Sequence, residues 1–194
     1  MNAATTADAI VASHPSGSGV PLTRAVAAVL AVLRDGPDGV EVLLIERALN
    51  EEDPASGHIG LPGGHAEPFD GTLEATAARE CDEEVGVGIA DLRTPPRFVV
   101  VGRALSSRMR VAVFCAAHRP DGAPPRARDP AEVADVFWAP ARAFSQVELV
   151  ERETARGPRL VPAVRVEGRV VWGFTLRVLR ILFGYEAGAV QELE

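Results

Sequence analysis

The stretch from Thr72 to Val85 constrains this chain more than any other, because its apolar and acidic residues divide between opposite sides of one helix. Ala78, Cys81 and Val85 recur at i, i+3 and i+7, the spacing of a buried helical stripe. Thr72 can cap the start, and Gly86 suits the left-handed position that ends such a helix. At about 100° per residue, Glu83 lies near −60° and Glu84 near +40° from Glu80, so three carboxylates crowd into an arc of roughly 100°. Cys81 and Val85 point away from that arc, toward a core.

The flanking sequence supplies strands for that core. Arg24 to Leu33 and Glu41 to Glu46 are Val/Leu-rich runs separated by the turn sequence Asp35-Gly36-Pro37-Asp38-Gly39, a β-hairpin pattern. Asn50 to Gly57 reads as a loop, His58 to Leu61 as a short strand, and Pro62-Gly63-Gly64 as a turn. A second hairpin is expected from Phe98 to Leu105 and Met109 to Ala117 around Ser106-Ser107, then a strand from Val133 to Trp138. An acidic and basic stretch from Ser145 to Arg156, a strand pair from Val161 to Trp172 and a helix from Phe174 to Phe183 close the chain. Strands on both sides of a central helix, with a closing helix, indicate a mixed α/β architecture. Residues 1–21 lack periodicity and carry a Ser-Gly turn cluster around Ser16 to Gly19, so they are expected to be a flexible tail. Residues 22–184 then form one domain and residues 185–194 a C-terminal tail. A hydrophobic content of 47% over 194 residues suffices for a sizeable core.

Charge and cysteine usage exclude several functions. The net charge of −7 and the absence of any basic tract argue against general nucleic-acid binding, which needs clustered cations. All 20 cationic residues are arginine, a uniformity better explained by a GC-rich coding sequence than by phosphate binding at every position. Cys81 and Cys115 are too few for a disulfide framework and read as core residues. The longest apolar run, Ala25 to Leu33, falls short of the roughly 20 residues of a membrane-spanning helix, and the N-terminus lacks the pattern of a secretory signal. The expectation is a soluble, cytoplasmic protein.

Glu80 and Glu84 stand at i and i+4, where like charges destabilise a helix unless solvent or a cation intervenes. A hard divalent ion such as Mg²⁺ or Mn²⁺ prefers oxygen ligands and is commonly shared between carboxylates and substrate phosphates. Arg79 can pair with Glu83, one turn on. Taken alone, Glu-x-x-Glu-Glu is most simply a solvated acidic face. The Pro-Gly-Gly turn 15 residues before Arg79 and the acidic pair Glu67 and Asp70 between them change that, because glycine backbone can approach a ligand closely.

The run Arg79-Glu80-Cys81-Asp82-Glu83-Glu84-Val85-Gly86-Val87, with Gly64 ahead of it, resembles the signature of the Nudix family. Its helix half agrees at every defined position; Gly64 to Arg79 is one residue longer than the common pattern, which makes Asp70 the loop carboxylate. The resemblance implies an α/β/α sandwich with a mixed β-sheet over about residues 22–184. It implies that Glu80, Glu83 and Glu84 bind the catalytic Mg²⁺ or Mn²⁺, with Arg79 orienting them, Asp70 adding a carboxylate and Glu83 as ligand or base. The implied reaction is hydrolysis of the pyrophosphate bond of a nucleoside diphosphate derivative. Ser56 to Gly64, Glu67-Pro68-Phe69-Asp70 and Trp172-Gly173-Phe174-Thr175 look like the coenzyme A pyrophosphatase branch, whereas His58 and Leu61 depart from it. ADP-ribose, NADH and dinucleoside polyphosphates are the alternative substrates.

Further candidates lie outside the helix. Glu132, before the Val133 strand, is a further metal ligand or base, or else a surface glutamate; Gly63, Gly64, His58 and Arg47 are candidate substrate contacts. Arg103 is a second candidate phosphate contact, and Trp138 and Trp172 either stack a base or pack the core. Relatives often dimerise, so a homodimer is one assembly the resemblance allows, although no apolar seam is identifiable in the sequence. A nucleotide-sensing module without turnover is the rival function, disfavoured because all three carboxylates are present. A purely structural interaction protein has no positive support.

Overall fold

The computed structural model describes residues 5–17, 24–50, 55–103, 109–154 and 157–186. Its centre is the expected hairpin of β1 (Ala27–Gly36) and β2 (Gly39–Arg47). Strand alternation sends Leu30 and Val32 of β1, with Leu43 and Ile45 of β2, to one side, and Ala31, Leu33, Val42 and Leu44 to the other. Both sides are apolar, so each requires a covering layer.

The two strands pair only near their turn, from Leu33 opposite Val42 to Gly36 opposite Gly39. Beyond it they diverge, and two short strands fill the gap: β3 (Ile59–Gly60) pairs with Ile45 and Glu46 of β2, while β4 (Gly63–His65) pairs with Ala27, Ala28 and Val29 of β1. Between β3 and β4 the Pro62 carbonyl accepts a 2.9 Å hydrogen bond from the Leu30 N–H. The single strand read from His58 to Leu61 is thus shorter, and the glycine turn continues into a strand of its own.

Strands β5 (Arg97–Arg103) and β6 (Arg110–Ala117) extend the sheet in the order β3-β2-β1-β6-β5, and β7 (Val133–Pro140) pairs with β2. β6 runs parallel to β1 and the other pairings are antiparallel, so the sheet is mixed. The Ser106-Ser107 turn lies outside the described residues. The stretch around residues 145–156 resolves into a 3-10 turn at Ala141–Ser145 and a strand, β8 (Glu148–Arg152). With β9 (Arg159–Val166) and β10 (Arg169–Trp172) it forms a separate three-stranded sheet, and α3 (Gly173–Leu182) follows.

One face of the main sheet is covered by the central helix, through Leu73, Ala77, Cys81 and Val85. The other carries Leu176, Val178, Leu179 and Leu182 of α3. That second layer also holds a helix in the stretch expected to be a flexible tail, α1 (Ala7–Ala12), with Ala7 and Val11 buried. Its signal was local and short: the Thr6 hydroxyl caps it by accepting from the Ala9 N–H, and Ala7 and Val11 lie four residues apart on one face. Tertiary contacts secure it, because the Ala7 N–H donates to Asp35 at 2.7 Å and Arg93 bridges Asp8 and Asp35. Cys81 and Cys115 are free and buried, as read from the sequence. Among the described residues no helix is long and apolar enough to cross a membrane. Residues 187–194 of the expected C-terminal tail lie outside the described residues.

Candidate functional site

Helix α2 (Leu73–Val85) is fixed at both ends as its sequence predicts. The Thr72 hydroxyl accepts from the Ala75 N–H, and Gly86 takes the left-handed conformation at φ 73°. With its apolar stripe against the sheet, the helix directs Glu80 and Glu84 at β4. The Gly63 N–H donates to Glu84 Oε2 at 2.8 Å. At Gly64 an added Cβ would lie 2.6 Å from the carboxyl carbon of Glu80. Gly63 has φ +146°, and a Cβ there would come within 2.3 Å of the Ala28 carbonyl oxygen. Both glycines therefore permit a strand to run directly beneath two carboxylates.

Glu84 is 3% exposed, and burial pushes its carboxyl up to about 7. The Gly63 N–H and the Arg47 charge oppose that shift, and the charges of Glu80 and Glu132 add to it. The Glu80 carboxyl is also raised, first by burial, with Arg79 opposing and Glu83 and Glu132 reinforcing. Glu80, Glu84 and Glu132 thus share one negative field. Glu132 reaches it from the turn before β7, where its N–H donates to Asp129 and its carbonyl accepts from Ala48. Arg47 arrives at the end of β2, where the pairing with β7 shifts register.

Arg79 organises the outer side. Its Nη1 lies 2.8 Å from both Glu80 Oε1 and Glu83 Oε2. Its Nε donates to Asp70 Oδ1 at 2.8 Å, and its Nη2 to Asp70 Oδ2 at 3.1 Å and to the His65 carbonyl at 3.0 Å. The Asp70 carboxyl is lowered to about 2, chiefly by Arg79, with the Glu67 N–H and Thr76 hydroxyl contributing. Asp70 was expected to join the metal ligands; instead both of its oxygens are engaged behind Arg79. Thr76, which the sequence did not single out, supports Asp70 at 2.8 Å and sits one turn after the cap, back-bonded to the Thr72 carbonyl.

Among the described residues no three His, Cys, Asp or Glu side chains are gathered in an arrangement that could hold a metal ion. Glu80 and Glu83 lean on Arg79, and Glu84 on Gly63. The donor chemistry nonetheless fits a hard divalent cation: Glu80 and Glu84 are oxygen donors on consecutive turns, with Glu132 contributing to the same field. The His58 ring meets Trp172 edge-on at 5.1 Å, and the His58 carbonyl accepts the Arg47 N–H at 3.0 Å. Trp138 packs against Arg34, 4.2 Å from its ring, and beside His118, and Arg103 is exposed at the end of β5.

A mixed sheet between helices, with a glycine strand under the glutamates of one helix, defines a class of fold and site. The model described as NUDIX domain matches residues 23–163, and the chain belongs to that family. Over 61 residues, 31% of this chain, it is 39% identical to Nudix hydrolase 15, mitochondrial, and to Nudix hydrolase 22, chloroplastic, both from Arabidopsis thaliana. Those matches span 21% and 20% of the two plant proteins' lengths. The fold is similar to that of a MutT/nudix family protein from Enterococcus faecalis, with a TM-score of 0.54 and 18% identity over 82% of this chain and 61% of that one. The α/β fold with a mixed sheet is therefore the one the sequence predicted.

Proposed function

We propose that this chain is a divalent-cation-dependent hydrolase that cleaves the pyrophosphate bond of a nucleoside diphosphate derivative. The observation that carries this reading is the seating of Glu80 and Glu84 on the Gly63-Gly64 backbone, within the field of Glu132. Glu80 and Glu84, with Glu83 beside them, would hold Mg²⁺ or Mn²⁺, which supplies stabilisation of the charge that builds on a diphosphate and acidifies water. The protein's own groups do the rest. Arg79 orients Glu80 and Glu83, with Asp70 behind it. Arg47, close enough to Glu84 to stabilise its charge, also offsets phosphate charge. Glu132, exposed and separate from the helix, accepts the proton of the attacking water, with Glu83 as the second candidate base.

The finer reading is coenzyme A or an acyl-coenzyme A. Support for it is the approach sequence Ser56 to Gly64 and the loop Glu67-Pro68-Phe69-Asp70. The experiment is a panel of coenzyme A, ADP-ribose, NADH and diadenosine polyphosphates with Mg²⁺ and Mn²⁺, products being identified by mass. The reading predicts cation-dependent cleavage within a diphosphate, coenzyme A being the best substrate. Preference for another member would redirect the substrate, and tight binding without turnover across the panel would make the chain a sensing module.

A further inference from the structure

The last turn of α2 contains Asp82, Glu83 and Glu84 and no basic residue, so three carboxyl groups crowd the negative end of the helix dipole. The compensating charge comes from 46 positions along the chain, in the segment between β6 and β7. Arg128 Nη1 donates to Asp82 Oδ1 at 2.9 Å and to the Asp82 carbonyl at 3.2 Å. Its guanidinium lies against Gly86, where an added Cβ would come within 2.7 Å of Arg128 Nε. The backbone of the same segment takes up carbonyls that a helix end leaves without partners. The Arg128 N–H donates to the Glu84 carbonyl at 2.9 Å, and the Arg126 N–H to the Val85 carbonyl at 3.0 Å. Glu84 is therefore held at its carboxylate by Gly63 and at its carbonyl by Arg128.

The chain turns immediately after Arg128. The Asp129 carboxylate accepts the Ala131 N–H at 2.9 Å, and the Asp129 carbonyl accepts the Glu132 N–H at 3.1 Å and the Val133 N–H at 2.8 Å. The Ala48 N–H, beside Arg47, donates to the Glu132 carbonyl at 2.8 Å. The helix end that carries Glu84 and the turn that carries Glu132 thus form one hydrogen-bonded unit, closed on its outer side by Arg128. The side chains of Arg128 and Asp82 are 45% and 51% exposed, and an ion pair so open to water adds little to global stability. Its effect is local, on where the turn sits. We propose that Arg128 is a positioning residue, which sets Glu132 against Glu80 and Glu84 by clamping the turn to the C-terminal end of α2. The proposal rests on the reading of Glu132 as the base; Arg128 acts through the turn rather than on substrate.

The test pairs amide hydrogen exchange with kinetics on the full chain, using Arg128→Ala, Glu132→Gln and the double variant. In chelator, where neither cation nor substrate contributes, the Glu132 and Val133 amides of Arg128→Ala are expected to exchange at least about tenfold faster than in wild type. The Ala77 and Ala78 amides within α2 should exchange as before, which shows that the fold is intact. With Mg²⁺ and the best substrate of the panel, Arg128→Ala is expected to lower kcat at least about tenfold while KM stays within about twofold. In the Glu132→Gln background the same substitution should cost less than about twofold, because the group it positions is already gone. Unchanged exchange at Glu132 and Val133, or an equal fall in kcat with and without Glu132, overturns the proposal. Faster exchange in a protein whose wild type turns over no substrate upholds the clamp and removes the hydrolase reading instead.

Discussion

Gly63 and Glu84, 21 residues apart, are joined by a 2.8 Å hydrogen bond from backbone N–H to carboxylate. That contact ties the strand wedged between β1 and β2 to the helix that bears the acidic residues. The two glycines of the strand have different duties, and substitutions should separate them. Gly63→Ala places a Cβ against the Ala28 carbonyl at φ +146° and is expected to lower stability by about 2–4 kcal/mol. Gly64→Ala meets only the movable end of Glu80, so thermal stability should change little while turnover falls about 100-fold. Thermal melts and steady-state rates on the two variants check the contrast.

Glu84 illustrates stability given up for a site. Its folded carboxyl lies near 7, above the ordinary value of 4.5, so the folded state binds the proton more tightly. Stability therefore declines as pH rises from about 4.5 through about 7 and stays low above that. Glu84→Gln, which keeps an acceptor for the Gly63 N–H, is expected to be more stable than wild type at pH 8 in chelator, by on the order of 1–3 kcal/mol. Denaturant melts at pH 5 and pH 8 measure this; the gain should shrink at the lower pH.

Asp70 carries the opposite sign. Its carboxyl is lowered to about 2 from 3.8, so its contribution is complete above about 4 and is lost as pH falls toward about 2. Asp70→Asn is expected to cost about 2 kcal/mol at pH 7 and almost nothing near pH 2. The loss at neutral pH should be accompanied by slower turnover, because Arg79 loses the anchor that fixes its Nε.

The N-terminal helix gives a test of packing alone. Val11 is 2% exposed against the α3 layer, and Val11→Asp would bury an unpaired charge. Its midpoint of thermal unfolding should fall by an amount equivalent to about 3 kcal/mol. A flexible tail would tolerate the same change without effect.

Much of this was legible in the sequence because the physics was local. The α2 helix announces itself through Thr72, the Ala78, Cys81 and Val85 stripe and Gly86, and the hairpin of β1 and β2 through its turn. The pairing of Arg79 with Glu83 also follows from spacing on one helix. What the sequence hid depends on distant contacts. α1 is six residues long and is held by Asp35 and Arg93, far along the chain. The need for glycine at Gly64 arises from the Glu80 carboxylate, 16 positions away, and Asp70 could be assigned only once Arg79 was seen between it and Glu80. Strand β8 was hidden as well, because its five residues are mostly charged and show no apolar alternation.

The central claim is that Glu80 and Glu84 carry cation-dependent hydrolysis, and the most direct measurement is turnover of the best nucleoside diphosphate derivative by Glu84→Gln with saturating Mg²⁺. The predicted result is a fall of at least about 100-fold in kcat with the fold intact. Full activity in that variant would contradict the account.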